Sequence, residues 1–321
     1  MAYKPRLATE SIAGRRPYQE DAVLTKELPD GRILVAVADG MGGHAAGDIA
    51  SALAMSSLVE AVENGQSLVE GFTLANQRVH TKSQEPGKQG MGTTMVAAIV
   101  SGDEFEVANV GDSRAYLLFA DGIRQISEDH SFVAEAIKRG QDAEEAMASR
   151  FRDALTRSIG IDAAVKVDAF GPFPVETDTA LLLCSDGLYK VMEADRVRDL
   201  FGQSGGPRGA AQNMVATAFE DGSDDNISVA IAEFGEVPRD RAMGTMPIEF
   251  EPPEIDDSDS HEPEAADDEA AREPEPASAV PESASEPVPL AQPSASAFPV
   301  GLVVGFVVVA VAVAGLLIFA R

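Results

Sequence analysis

Residues 33–43 read ILVAVADGMGG, an apolar run that ends in an aspartate and a glycine-rich turn. The apolar run, 33–38, is rich in β-prone residues and has the length of a buried strand. The turn after Asp39 leads into a helical pattern that extends from about His44 to Glu63. The segment therefore predicts a strand, a tight loop and a long helix, with a carboxylate where the strand ends.

The sequence on both sides of this segment predicts antiparallel strands. Short apolar runs at 93–100, 104–110 and 114–119 are joined by Ser101-Gly102-Asp103 and by Gly111-Asp112-Ser113, which predict hairpin turns. Further strands are predicted at 179–185 and 226–234, and helices at 132–139, 142–149, 193–201 and 208–221. Because strands and helices come in consecutive blocks, the predicted fold class is α+β rather than an alternating parallel fold.

Composition divides the chain into a patterned domain at 1–237, a linker at 238–298 and an apolar segment at 299–321. Within the linker, residues 245–298 carry 15 acidic residues and one basic residue, a net charge of −14 out of the −28 of the whole chain. Proline, glutamate, alanine and serine dominate this stretch, which has too little apolar surface to offset the entropy lost on folding. We therefore expect a disordered acidic linker.

The apolar segment predicts a membrane anchor. Residues 300–320 contain no charged side chain, and as a helix they would span about 31 Å, the thickness of the hydrocarbon core of a bilayer. The N-terminal sequence lacks the apolar core of a secretory signal. We expect a single-pass protein of the cytoplasmic membrane whose domain faces the cytoplasm, and the spacing of Gly301 and Gly305 leaves open whether the helix dimerises.

Charge and cysteine content argue against nucleic-acid binding, an intrachain disulfide and a cysteine nucleophile. No run of clustered lysine and arginine is present, so a nucleic-acid partner is not expected. The single cysteine, Cys184, rules out an intrachain disulfide. Since Cys184 lies in an apolar run, we predict a buried strand thiol rather than a nucleophile.

Acidic residues recur where predicted strands meet turns, most of them next to glycine or another small residue. They are Glu20, Asp21, Asp39, Asp112, Asp186 and Asp225. Carboxylates that project past the edge of a sheet suit hard divalent cations such as Mg²⁺ and Mn²⁺, whereas zinc sites rely on cysteine and histidine. Taken one at a time, each Asp-Gly pair is also an ordinary turn.

The order and spacing of these motifs resemble the protein phosphatase 2C family, in its bacterial branch. The motifs are Arg16-Pro17-Tyr18-Gln19-Glu20-Asp21, Ala38-Asp39-Gly40-Met41-Gly42-Gly43-His44, Gly92-Thr93-Thr94, Val110-Gly111-Asp112-Ser113-Arg114, Cys184-Ser185-Asp186-Gly187-Leu188 and Asp225-Asn226-Ile227-Ser228. The resemblance covers about residues 5–235. It implies an αββα sandwich, in which two antiparallel sheets stack between helices, and a metal-dependent protein serine/threonine phosphatase.

The resemblance also implies a set of ligands for two Mn²⁺ or Mg²⁺ ions and a weaker third. Asp39 would bridge two ions, and the Gly40 carbonyl would bind one of them. Asp186 and Asp225 would complete the coordination of the first ion, and Glu20 would help to hold the second. Asp21 would lie behind Glu20, and Asp112 with Asp186 would bind the third ion; all of these residues are present.

The implied chemistry is hydrolysis by a metal-activated water, without a covalent phosphoenzyme. Arg16 would grip the phosphate, because its guanidinium fork fits two phosphoryl oxygens. Many eukaryotic members carry a histidine as the general acid where this chain has Met41, which has no proton to donate. Protonation of the leaving group is therefore unassigned, and His44 is more simply interpreted as structural than as a substitute.

Three further residues carry two interpretations each. His130 begins a segment that resembles the family's flap beside the active site, where it would contact substrate. Asp129 or Ser131 would equally serve as a helix cap there. Arg114 and Arg157 would face the substrate or, more simply, form ion pairs.

The expected partners are phosphorylated proteins, including those phosphorylated by a membrane-bound serine/threonine kinase whose action the enzyme would reverse. A narrower alternative is a regulatory phosphoserine on one anti-sigma-type partner. The alternative from another class is a catalytically inactive, membrane-tethered module that binds phosphoproteins. Such a module would be expected to have lost a ligand, and none of the implied ligands is missing.

Overall fold

The computed structural model describes residues 4–42 and 46–235. The predicted linker and anchor lie outside the described residues, as does His44. Within the described part of the chain, no helix is both long enough and apolar enough to cross a bilayer.

Strands and helices follow one another in blocks along the described chain. The strands are β1 (Arg6–Ile12), β2 (Asp21–Glu27), β3 (Ile33–Met41), β4 (Gly92–Thr93), β5 (Met95–Ser101), β6 (Glu104–Val110), β7 (Arg114–Leu118), β8 (Ile123–Gln125), β9 (Asp168–Pro174), β10 (Thr179–Cys184) and β11 (Ile227–Phe234). The helices are α1 (Ala46–Glu63), α2 (Leu68–Ser83), α3 (Phe132–Lys138), α4 (Ala143–Met147), α5 (Asp186–Tyr189), α6 (Ala194–Gln203) and α7 (Pro207–Glu220).

The strands form two antiparallel sheets. In the first sheet the order is β1-β11-β10-β7-β8. In the second the order is β2-β3-β5-β6-β9, and the short β4 pairs with β3. Each sheet contains strands that are distant in sequence, so the two ends of the domain meet in the first sheet through β1 and β11.

Apolar layers cover both faces of the central strands. Val35 of β3 and Leu181 of β10 belong to the cluster between the two sheets. Leu34, the next residue on β3, packs with Leu58 of α1 on the outer face, and the outer face of the first sheet packs against α6 and α7. Because a strand buried on both faces has no polar side to alternate with, these strands appear in the sequence as continuous apolar runs. The expected αββα sandwich is confirmed.

One predicted hairpin is wrong. The runs at 104–110 and 114–119 correspond to β6 and β7, but these strands lie in different sheets and do not pair. The turn 111–113, with Gly111 at a φ of 107°, carries the chain from one sheet to the other. A turn signal in the sequence reports a change of direction, and it does not specify which strand the chain pairs with afterwards.

Other observed element boundaries differ from the predicted ones by a few residues. Several helices and strands of the structure have no predicted counterpart. The run 93–100 is divided into β4 and β5. The strands β1 and β9 and the helix α2 have no counterpart in the predictions. For α2 a signal was available, because Ser67 and Glu70 form a capping box, the S/T-x-x-E pattern that precedes many helices.

Candidate active site

Residues from both sheets line one cavity of about 470 Å³ at the end of the sandwich. All the predicted ligands except Asp21 line it; they are Glu20, Asp39, Gly40, Asp112, Asp186 and Asp225, and Arg16 lines it as well. The structure thus brings together side chains that are up to about two hundred positions apart in the sequence. A larger cavity of about 640 Å³ lies around His130 and Arg157, and it contains none of these carboxylates.

Antiparallel pairing explains why the carboxylates meet. In the second sheet, Asp21 at the start of β2 lies opposite Asp39 near the end of β3. In the first sheet, Asp186 follows the end of β10 and Asp225 precedes the start of β11, which is the neighbouring strand. Because the end of one antiparallel strand lies beside the start of the next, each sheet delivers two carboxylates to the same edge.

Asp112 comes from the turn that crosses between the sheets. It lies at the boundary between β6 and β7, so it reaches the cavity from a third direction. The same turn that was wrongly predicted as a hairpin therefore places a carboxylate between the two sheets.

Burial and mutual repulsion disturb the titration of these groups. Burial, and then the charges of Asp21, Asp186, Asp112 and Asp225, raise the pKa of Asp39 well above its ordinary value. Burial is also the main cause that raises the pKa of Asp112 to about 6 and that of Asp21 to about 7. A cation bound among these buried carboxylates would stabilise their charged forms.

Asp21 supports the site from behind the cavity wall. Its Oδ2 accepts a hydrogen bond of 2.9 Å from Ser185 Oγ, on the residue immediately before Asp186. Asp21 belongs to the second sheet, and Ser185 follows β10 of the first. The hydrogen bond therefore connects the two sheets at the edge where the ligands converge.

Two hydrogen bonds from α1 hold Glu20 in place. The backbone N–H of Gly47 in α1 donates to Glu20 Oε1 at 3.2 Å, and Ser51 Oγ donates to the Glu20 carbonyl at 2.6 Å. A Cβ at Gly47 would lie 2.5 Å from Glu20 Oε1, and one at Gly40 would lie 2.1 Å from the Gly47 carbonyl oxygen. Only glycine lets α1 pack this closely against the end of β3.

Asn226 joins the loop before β2 to the loop before β11. Its Oδ1 accepts from the Glu20 backbone N–H at 2.7 Å. Its Nδ2 donates to the carbonyls of Ala13 and Tyr18, both at 2.9 Å. The sequence analysis quoted Asn226 within a motif but assigned it no role, because its partners are about two hundred residues away.

Arg16 lies on the wall of the cavity with half of its side chain exposed. Its Nε donates to the Asp224 carbonyl at 2.8 Å, and its Nη2 donates to Asp225 Oδ2 at 2.9 Å. These two bonds orient the guanidinium plane at the mouth of the cavity, beside the carboxylates.

The oxygen donors fit a hard divalent cation. Asp186 Oδ1 and Asp21 Oδ1 are buried and have no hydrogen-bond partner among the described residues. Buried polar atoms are normally paired, and a carboxylate oxygen left this way is suited to a cation. In residues 4–42 and 46–235 the side chains of histidine, cysteine, aspartate and glutamate do not close around one point in groups of three or more. The carboxylates line one cavity without forming such a group.

The ion-pair interpretation is confirmed for both arginines outside the cavity. Arg114 donates to both oxygens of Asp129, and Arg157 pairs with Asp168 at 2.9 Å. Ser131 is the N-cap of α3, as one interpretation of that segment expected. Neither arginine lines the carboxylate-lined cavity, so neither is placed to contact a substrate there.

The structure also places the side chains of Cys184, Met41 and His130. Cys184 is buried in β10, and burial raises the pKa of its thiol to about 12, so the prediction of an inert strand thiol is confirmed. Met41 lines the cavity, where its thioether has no proton to donate. His130 is buried outside this cavity, and its Nδ1 accepts from the Gly111 N–H at 3.1 Å.

Known proteins resemble this chain in sequence and in fold. The profile described as Protein phosphatase 2C matches residues 11–227. The serine/threonine phosphatase stp of Listeria welshimeri is 36% identical over 231 residues, which are 68% of this chain and 91% of that protein. The protein phosphatase PhpP of Streptococcus pneumoniae is 34% identical over 235 residues, 70% of this chain and 95% of that protein. The solved structure of the Mycobacterium tuberculosis serine/threonine phosphatase PstP/Ppp matches with a TM-score of 0.63 at 28% identity, covering 72% of this chain and 99% of that one.

Proposed function

Because the chain belongs to the protein phosphatase 2C family, we propose that the carboxylate-lined cavity at the end of its two sheets is the catalytic centre. The chain is a metal-dependent protein serine/threonine phosphatase, a hydrolase that acts on phosphorylated proteins. The observation that carries the proposal is the convergence of carboxylates from both sheets on one cavity, with an arginine at its mouth.

The proposed cofactors are two Mn²⁺ or Mg²⁺ ions. The residues that would hold them are Glu20, Asp39, Gly40, Asp186 and Asp225, all on the cavity wall. Ions bound there would supply a water of lowered pKa, oriented for attack on phosphorus. The support for this assignment is the mutual repulsion of the carboxylates and the unpartnered Oδ1 of Asp186.

The protein's own side chains would bind and orient the phosphorylated residue. Arg16 is the group we assign to the phosphoryl oxygens, since its fork is already oriented by Asp224 and Asp225. Asp21, through Ser185, and Asn226, through Glu20, act by holding these groups in position.

The proposed setting is the cytoplasmic face of the membrane. Residues 299–321 would anchor the chain, and the acidic segment 238–298 would tether the domain at a distance, because its charges repel one another and the anionic leaflet. In this position the enzyme would reverse the action of a membrane-bound serine/threonine kinase. The support is the apolar block and the composition of the linker.

The test is hydrolysis of phosphoserine and phosphothreonine peptides by the full chain, with Mn²⁺ and with chelator. Asp39→Asn should abolish turnover, whereas Asp30→Asn should not, because Asp30 lies in an exposed turn where it pairs with Arg32. Binding of phosphopeptide without hydrolysis in the presence of Mn²⁺ would favour the inactive binding module instead.

A further inference from the structure

Lys190 places a fixed positive charge against one of the proposed metal ligands. It follows α5 as its C-cap, one helical turn after Asp186. Side chains four residues apart lie on the same face of a helix, so the two groups meet. The distance from Lys190 Nζ to Asp186 Oδ2 is 2.5 Å, and the Asp186 side chain is only 11% exposed.

The ion pair gives the two carboxylate oxygens of Asp186 different environments. Oδ2 is engaged by Lys190, whereas Oδ1 is buried and has no hydrogen-bond partner among the described residues. A carboxylate that ligates ions on two sides needs one oxygen for each side. In this chain, one of the two oxygens already has a cationic partner supplied by the protein.

The same ammonium lies within the field of a second carboxylate of the cavity. Asp112 and Asp186 both line the cavity. Asp153, from the segment after α4, lines it as well. The Lys190 ammonium contacts Asp186, which lines this cavity together with Asp112.

We propose that Lys190 takes the place of a third metal ion between Asp112 and Asp186. The proposal rests on the ligand roles given above for the catalytic centre. A divalent ion that bound to Asp112 and Asp186 would have to displace the ammonium from Asp186 Oδ2 and remain beside it. Repulsion between the two cations, in a cavity that is partly shielded from water, opposes this binding. The site therefore holds its third positive charge permanently, at any concentration of metal.

The experiment counts the Mn²⁺ ions bound by the full chain, using equilibrium dialysis and elemental analysis from micromolar to millimolar metal. Lys190→Met removes the charge and keeps most of the length of the side chain. We expect this variant to bind one Mn²⁺ more per chain than the unaltered protein, with an affinity for that ion at least about tenfold higher than any third site of the unaltered protein. Adding Asp112→Ala to the variant should remove the additional ion again.

Two controls separate charge from general damage. Lys190→Arg keeps the charge and should bind no additional ion. Lys26→Met removes another half-exposed lysine, which pairs with Glu63 at 2.7 Å away from the cavity, and it should leave the number of ions unchanged. Thermal unfolding of each variant verifies that it is folded.

The outcomes are distinguishable from failure of the proposed function. If the unaltered protein bound no Mn²⁺ at all, the catalytic assignment would fail. If it bound Mn²⁺, and Lys190→Met bound the same number with an affinity within twofold, Lys190 would not occupy a cation's place. An additional ion that persisted after Asp112→Ala would equally overturn the inference.

Discussion

Asp21 and Asp39 lie directly opposite each other on the antiparallel strands β2 and β3. Opposed residues in a sheet point to the same face, and like charges at such positions are destabilising. Both strands continue from these positions into the apolar layers, so the two carboxylates are partly withdrawn from water. Burial, and then repulsion by neighbouring carboxylates, raises the pKa of each group. This unfavourable electrostatic energy lies at the edge of the sheets where cations are expected to bind.

Mn²⁺ should therefore raise the melting temperature of the protein. Ions that bind only to the folded state add RT ln(1 + [L]/Kd) to the free energy of unfolding, about 2.7 kcal/mol at a hundredfold excess over Kd. Thermal unfolding followed with chelator and with millimolar Mn²⁺ measures the shift. Identical melting curves under both conditions would show that the carboxylates do not bind the metal together.

Asp39→Asn should remove phosphatase activity, because Asp39 is the ligand assigned to both ions and its charge interacts with carboxylates of both sheets. A remaining kcat above about a tenth of the original, a loss of only ~1.4 kcal/mol in transition-state stabilisation, would contradict the assignment of Asp39. Asp112→Ala should reduce kcat less than Asp39→Asn, since Asp112 is assigned to neither of the two principal ions. Steady-state kinetics on one phosphopeptide compares them directly.

Asn226→Ala should weaken both stability and metal affinity. It removes three hydrogen bonds that hold Glu20 and the loop before β2, at a cost of about 1–3 kcal/mol in the free energy of unfolding. The matched control is Asn213→Ala, since Asn213 is also buried and donates to Ser204 in a different part of the fold. The control should lose stability while its Kd for Mn²⁺ stays unchanged; equal Kd values in the two variants would remove the positioning role of Asn226.

Asp168 should stabilise the fold at neutral pH and lose this contribution in acid. Burial acts to raise its pKa, but hydrogen bonds from Lys166, His130 and Arg157 outweigh burial and lower it to about 2. A depressed carboxyl pKa contributes stability above the unfolded value of 3.8, and this stability disappears as the pH falls toward about 2.

Asp168→Asn is the variant that tests this contribution. We expect it to be less stable than the unaltered protein at pH 5 by about 1–2 kcal/mol, with a difference that narrows as the pH falls below about 4. Urea unfolding at several pH values measures the difference. A gap that stays constant down to pH 3 would mean that the ion pair does not depress this pKa.

The catalytic domain should face the cytoplasm. Protease added to intact spheroplasts should leave the domain uncut, and protease added to inverted membrane vesicles should digest it. A cytoplasmic protein of known location serves as the control for leakage. Digestion of the domain in intact spheroplasts would overturn the proposed orientation.

The sequence by itself determined the layers of the fold and the identity of the proposed ligands. Strands buried on both faces, such as 33–38 and 179–185, have continuous apolar runs because neither face meets water, and this pattern is local. The carboxylates at the ends of these strands are also visible locally, beside the glycines that let other backbone segments approach them. A pattern that depends on neighbours in the chain can be found without knowing the structure.

Only the tertiary structure decided what each of these groups contacts. The hydrogen bond from the Glu20 N–H to Asn226 and the repulsion between Asp39 and the carboxylates of the other sheet join positions that are distant in the sequence. The crossing of the chain at 111–113 also depends on strands that are distant in the sequence. Lys190 follows the motif Ser185-Asp186-Gly187 closely, but its proposed role depends on Asp112, which reaches the cavity from the turn between β6 and β7. Electrostatic energies depend on distance in space, and strand pairing between the two halves of the domain sets those distances.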